Sequence, residues 1–144
     1  MENRDWLVEY AVGSVANRTH FCTLKEFGSV ISKNLGKEIY RSMFLYDKDI
    51  IDHVKKTHSV SNYKGVQGVD KLVLDIDLQG EGKGEEARQN ACEARMILID
   101  TLGLDESYVS VWFSGRGFHI HIPNIYNFQP SKNVAKQVLS LIHI

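Results

Sequence analysis

The sequence predicts an α+β fold, a mixed or antiparallel sheet with helices packed on it. Three observations carry that prediction. Leu72, Leu74, Ile76 and Leu78 alternate with Val73, Asp75 and Asp77 over residues 71–78, the period of two that marks a strand with one buried face. Ala87, Ala91, Ala94, Leu98 and Thr101 recur at helical spacing over residues 85–102, with acids at the start and Gly103 placed to end the helix. Phe118, Ile120 and Ile122 alternate with His119 and His121 before Pro123. The order strand, helix, strand, tight turn, strand then suits one helical layer against a sheet. Since sequential strands are usually neighbours, the Asp pair and the His pair are expected on one sheet face.

The other elements follow in order. Trp6, Tyr10 and Val12 lie on roughly helical spacing, so residues 5–16 are expected to form a helix. Residues 23–31 mix β-branched and aromatic side chains and are expected to form a strand around Phe27. Lys33-Asn34-Leu35-Gly36 reads as a turn and residues 39–46 as extended, which together give a hairpin-like start. Asp49 is placed to cap a helix using Ile50, Ile51 and Val54, with Lys55 and Lys56 in its last turn, where cations suit the dipole. Gly80 to Gly84 is a loop, and residues 108–113 alternate as a strand. Ser131 is placed to cap a helix through Val134, Val138, Leu141 and Ile142. No internal repeat or low-complexity stretch is present.

Composition bounds the function. A chain of 144 residues with 43% hydrophobic and 24% charged residues is expected to be one domain with an ordinary core. A formal net charge of −1 gives no general attraction to nucleic acid, which argues against a non-specific DNA coat. Cys22 and Cys92 form no CxxC pair, so no zinc ribbon can be read. The charged N-terminus is not followed by a signal-type apolar core, and no apolar run reaches the roughly 20 residues of a membrane span. The expectation is a soluble intracellular protein, in cytoplasm or nucleus. A last helix with no ending signal before Ile144 is expected of a truncated reading, and Ser140-Leu141-Ile142-His143-Ile144 resembles read-through from a cloning adapter.

Two segments carry chemistry. Asp75 and Asp77, at i and i+2, project from one face of a strand with roughly 6.7 Å between them along the backbone. Carboxylates so placed can converge on a divalent cation. Magnesium suits them, because it keeps several waters and takes one or two carboxylates plus substrate phosphates. Asp disfavours strands, so two in one apolar strand are hard to explain as surface decoration. In Ser114-Gly115-Arg116-Gly117-Phe118-His119 the glycines permit close backbone approach to a ligand. Arg116 offers a bidentate fork to phosphate, while Ser114 and His119 offer further polar contacts. His121 shares the face of His119. The bland alternatives are a solvated sheet face and an ordinary hairpin turn. Gly80-Glu81-Gly82-Lys83-Gly84 is neither a dinucleotide fingerprint nor a Walker loop, since its acids would repel a pyrophosphate and no Ser or Thr follows Lys83.

Together these residues resemble the archaeo-eukaryotic primase superfamily, in particular the small catalytic subunit of DNA primase and viral primase–polymerases. Leu74-Asp75-Ile76-Asp77 is similar to the family's apolar Asp-x-Asp strand. Ser114-Gly115-Arg116-Gly117-Phe118-His119 is similar to its Ser-Gly-basic-Gly-x-His turn, and the two stand in the family's order with a helix between. Upstream, Lys25-Glu26-Phe27, Tyr40-Arg41 and His58-Ser59-Val60 resemble lesser family segments, so that the likeness spans residues 23–123. It implies a primase-type catalytic core that makes primers on single-stranded DNA from nucleoside triphosphates. Asp75 and Asp77 would hold Mg²⁺ or Mn²⁺ as the catalytic metal site. Ser114, Gly115, Arg116, Gly117 and His119 would form the nucleotide site, and Glu26 and Arg41 would contact the nucleotide or the initiating one. A large subunit or a replicative helicase would be the protein partner, and no membrane is involved.

The family also has a third motif, an apolar residue followed by Asp, downstream of the second. The last Asp here is Asp105, and the zinc-binding cysteines of many cellular members are absent too. The resemblance therefore implies an incomplete catalytic domain over residues 1–144, inactive alone. Two alternatives stand beside it: a non-catalytic nucleotide- or nucleic-acid-binding module, and an Asp-x-Asp sugar-nucleotide transferase.

Overall fold

A computed structural model of the protein describes residues 5–77, 80, 82–115, 117–123 and 128–142. In chain order its strands and helices are β1 (Leu7–Val12), β2 (His20–Thr23), α1 (Leu24–Lys33), β3 (Ile39–Tyr46), α2 (Ile50–Thr57), β4 (Gln67–Val69), β5 (Lys71–Asp77), α3 (Gly84–Met96), β6 (Ser110–Phe113), β7 (Gly117–Pro123) and α4 (Val134–Ile142). The fold is mixed α+β with antiparallel sheets. The chain divides into two compact units, Met1–Asp70 with Phe128–Ile144, and Lys71–Asn127. No helix among the described residues is long and apolar enough to cross a membrane.

The first unit is built on an antiparallel sheet in the order β2-β1-β3-β4. Both of its faces are covered. Leu7 and Tyr46, opposite one another, pack with Ile50 of α2 and with Tyr63, Phe21, Phe44, Val54 and Val60. Val8 and Leu45, the next pair, point the other way and pack with Trp6, Leu24, Phe27 and Val66. This corrects the helix expected over residues 5–16. A strand buried on both faces shows no polar alternation, and its aromatic spacing then mimics a helix.

The strand expected around Phe27 is also corrected. Residues 24–33 are α1, started by a capping box in which Thr23 Oγ1 accepts from the Glu26 N–H and Glu26 Oε2 accepts from the Thr23 N–H. Two orphan donors are satisfied at once, which outweighs the strand preference of the aromatic and β-branched residues. The hairpin expected between residues 23–31 and 39–46 is therefore absent, and β3 pairs with β1 instead. Between Val8 and Tyr10 that ladder shifts register. Three residues of β3 oppose the single Glu9, and Ser42 Oγ accepts the Glu9 N–H at 3.1 Å in place of a ladder carbonyl.

Asp49 stands at the N-cap of α2 but makes no side-chain capping bond; its carboxylate accepts the Tyr63 hydroxyl. Ser131 likewise does not cap α4 directly. Its hydroxyl accepts the Asn133 N–H, and its backbone exchanges hydrogen bonds with Gln67 of β4. Val134 and Val138 of α4 are fully buried. Cys22 and Cys92 are both thiols, not a disulfide.

The second unit is a three-stranded antiparallel sheet, β5-β7-β6, with α3 packed on one face. Leu72, Ile120 and Ile122 are buried with Ala87, Ala91 and Leu98. The helix expected over residues 85–102 is α3 followed by a π-helical turn, Ile97–Thr101. It ends where Gly103, at φ +69°, donates back to Ile99, the left-handed stop that glycine permits. The strand expected from Tyr108 begins later, at Ser110. Glu106–Tyr108 forms a 3-10 turn whose N–H at Ser107 is taken by Asp105.

Candidate functional site

Alternation decides which residues share the sheet face away from α3. In the β5–β7 ladder Val73 stands opposite His121, Asp75 opposite His119 and Asp77 opposite Gly117. In the β6–β7 ladder Ser110 stands opposite His121 and Trp112 opposite His119. Directly opposed residues in a sheet point the same way. One face therefore carries two lateral rows, Val73–His121–Ser110 and Asp75–His119–Trp112, with Asp77 and Gly117 beyond them. Leu72, Leu74, Ile76, Ile120 and Ile122 are on the other face and form part of the apolar layer under α3.

Side-chain contacts tie the rows together. His119 Nε2 lies 3.2 Å from Asp75 Oδ1. The His119 and His121 rings stack at 6.2 Å, and the Trp112 indole stacks on His121 at 5.9 Å with 29° between planes. Lys71 Nζ reaches His121 Nδ1 at 3.3 Å. Asp75 and Asp77 are both exposed, so neither carboxylate carries a burial penalty on its charge.

The turn after β6 sits at the end of this face. The Ser114 N–H donates to the Gly117 carbonyl at 2.9 Å, and Gly115 adopts φ +89°. A Cβ on Gly117 would lie 2.3 Å from the Ile76 carbonyl oxygen. Glycine at 117 is thus what lets β5 and β7 approach beside Asp77. Arg116, expected to bind phosphate, lies outside the described residues.

The two upstream residues lie in the first unit. Glu26 is engaged in the α1 capping box, where the Thr23 backbone and hydroxyl hold its carboxyl below the usual range. Arg41 pairs with Asp70 at 2.6 Å, with its guanidinium over the Phe27 ring. It also lines a concavity of ≈ 190 Å³ with Glu9, Arg18, Tyr10 and Tyr40. There the buried Glu9 carboxylate, 3% exposed, is held bidentate by Arg18 at 3.1 and 2.8 Å and by the Thr19 N–H.

Asp75, Asp77, Ser114, Gly115, Gly117 and His119 thus come together in one unit. Two neighbours on that face, Trp112 and Lys71, were not expected from the sequence. The signal for Trp112 was its offset from Ser110 by two, which becomes informative only with the β6–β7 register in hand. Among the described residues no group of three or more His, Cys, Asp or Glu side chains is placed to hold a metal ion. Two carboxylates remain a suitable donor set for a cation that takes its other ligands from water and phosphate. No protein-family model, curated protein or solved structure matches the chain.

Proposed function

We propose that the chain carries a metal–nucleoside triphosphate site of a primase-type nucleotidyltransferase, which synthesises primers on a single-stranded DNA template. One observation carries this reading: Asp75 and His119 are cross-strand partners, with Asp77 on the same sheet face and the hydrogen bond from Ser114 to Gly117 at its end. In this reading a cation site on the two carboxylates would adjoin a phosphate site at the turn.

In this reading Asp75 and Asp77 hold Mg²⁺ or Mn²⁺. That ion, when bound, supplies charge stabilisation for the attacking hydroxyl and the departing pyrophosphate. His119 donates from its imidazole to a phosphate oxygen, and the backbone of the Ser114–Gly117 turn admits the phosphates closely. Arg116 supplies a guanidinium fork on the same turn. Glu26 and Arg41 remain proposed contacts for the nucleotide, beside the structural partners they already have. A primase large subunit or a helicase is the proposed protein partner, and the proposed site of action is intracellular.

The second reading is a nucleotide-binding module without catalysis. It is favoured by the absence, among the described residues, of a third acidic ligand beside Asp75 and Asp77.

The test is binding of a nucleoside triphosphate to the full chain with and without Mn²⁺, followed by the electron paramagnetic resonance of the ion. Binding is expected to require the ion. Asp75→Asn and Asp77→Asn are each expected to weaken it more than the roughly 10–100-fold typical of residues that merely support a metal ligand, with circular dichroism unchanged. Ion-independent binding, or full affinity in either variant, overturns the reading. Primer synthesis on poly(dT) by a chain that binds in this way would favour the catalytic reading over the second one.

A further inference from the structure

Trp112 lies at the end of the row that begins with Asp75 and passes through His119. It is 58% exposed. A single exposed aromatic needs no explanation by itself; its placement and its fixation are what distinguish this one. The indole Nε1 donates to Ser110 Oγ at 2.8 Å, and the His121 ring backs it. The side chain is therefore held in one orientation before any ligand arrives, which lowers the entropy lost on binding.

Neighbouring strands are about 4.8 Å apart. The row thus places a carboxylate, an imidazole and an indole on three successive strands, spanning roughly 10 Å. A nucleoside triphosphate with its cation has the same order of chemistry: ion, phosphates, then a planar base. We propose that the base of the incoming nucleoside triphosphate stacks on Trp112. This rests on the reading of Asp75, Asp77 and His119 as the ion and phosphate site. Trp112 would be a positioning residue tolerant of base identity, because every base offers a π face.

The experiment compares two ligands, each with and without Mg²⁺: a nucleoside triphosphate and inorganic tripolyphosphate, which has the phosphates and no base. Affinities are measured by equilibrium dialysis on the full chain. The nucleotide is expected to bind tighter than tripolyphosphate and to quench tryptophan emission. Trp112→Ala is expected to weaken nucleotide binding by roughly 5- to 150-fold, the range of one lost base stack, and to leave tripolyphosphate unchanged. Trp112→Phe should recover part of the loss, with circular dichroism confirming that each variant is folded. Equal weakening of both ligands by Trp112→Ala means a structural role and overturns the proposal. An unchanged nucleotide affinity also overturns it, while ion-dependent tripolyphosphate binding leaves the underlying site standing. If neither ligand binds the unaltered chain, the site reading fails, and the stacking proposal with it.

Discussion

His119 stands directly opposite Asp75 across the β5–β7 ladder, and its Nε2 lies 3.2 Å from Asp75 Oδ1. Both side chains are substantially exposed, so the contact is worth at most about 1 kcal/mol. A pair this weak is readily exchanged for a stronger one. A divalent cation at Asp75 would displace the imidazole, and His119 would then be available to a phosphate. Titration with Mg²⁺ is accordingly expected to shift the His119 side-chain resonances, and Asp75→Asn should abolish that response. Resonances that stay fixed through saturation would show that the ion does not enter at Asp75.

Gly117 is the second place where the site depends on one atom. An alanine Cβ would sit 2.3 Å from the Ile76 carbonyl oxygen, and backbone cannot step aside as a side chain can. Gly117→Ala should destabilise the chain by about 1–3 kcal/mol, the usual range for forced overpacking. Gly115 has open space around its missing Cβ but holds φ +89°, so Gly115→Ala should cost about 1–2 kcal/mol through backbone strain alone. Urea unfolding of the two variants measures both. A Gly117→Ala chain as stable as the original would mean that β5 and β7 are not so close.

How much of this was legible in the sequence depended on which faces are buried. β5 and β7 each bury one face, so Leu72 and Asp75, or Ile120 and His119, separate cleanly by period two, and the shared Asp–His face followed. β1 buries Leu7 against one layer and Val8 against another, so its period is erased and the helix reading of Trp6, Tyr10 and Val12 failed. α1 was legible in principle. Thr23 and Glu26 have capping-box spacing, and Leu24, Phe27 and Val30 recur at intervals of three; the β-branched and aromatic content of the segment points the other way and masks both. Trp112 is not placed by the sequence, because Tyr108 and Trp112 on one side of the alternation and Val109, Val111 and Phe113 on the other are all apolar enough to face inward.

The α1 capping box yields a direct stability prediction. Thr23→Ala removes the oxygen that accepts the Glu26 N–H, and should cost about 1 kcal/mol. Glu26 contributes through its ionised form, since its folded-state pKa is lowered by the Thr23 backbone and hydroxyl. The stabilisation is therefore present above the ordinary carboxylate range and is lost as pH falls through the depressed folded value. Glu26→Gln should flatten the acid side of the stability–pH curve relative to the original chain. Identical acid slopes would sink the assignment.

Tyr46 makes the opposite prediction at high pH. Burial, with help from the nearby Glu9 carboxylate and against the Arg18 charge, pushes its phenol up to about 12. A raised folded-state pKa means that stability is fully present below the unfolded value near 10 and is lost as pH rises through about 12. Tyr63 is raised as well, by burial and by the Asp49 carboxylate, so two phenols contribute. Tyr46→Phe should lose stability less steeply than the original chain above about pH 10. Thermal melts at stepped alkaline pH measure the slope, and an unchanged slope would place Tyr46 in contact with solvent.

Arg41 tests where structure and function part. Its side chain is 16% exposed and that of Asp70 24%, and a single 2.6 Å contact joins Nη2 to Oδ2. Arg41 Nε and Asp70 Oδ1 are buried with no hydrogen-bond partner among the described residues, so the pair falls short of the two-bond fork that an arginine and a carboxylate can make. Removing one partner leaves the other charge poorly solvated. Asp70→Leu should therefore cost about 3 kcal/mol, and Arg41→Met a comparable amount, whereas the double variant should be markedly more stable than their sum predicts. Strict additivity in urea unfolding would mean that the two charges do not act as a pair. Nucleotide affinity of the stable double variant then decides the functional question. Retained affinity makes Arg41 a structural cation of the β3 strand, whereas lost affinity in a folded chain returns it to the nucleotide role that the sequence resemblance implies.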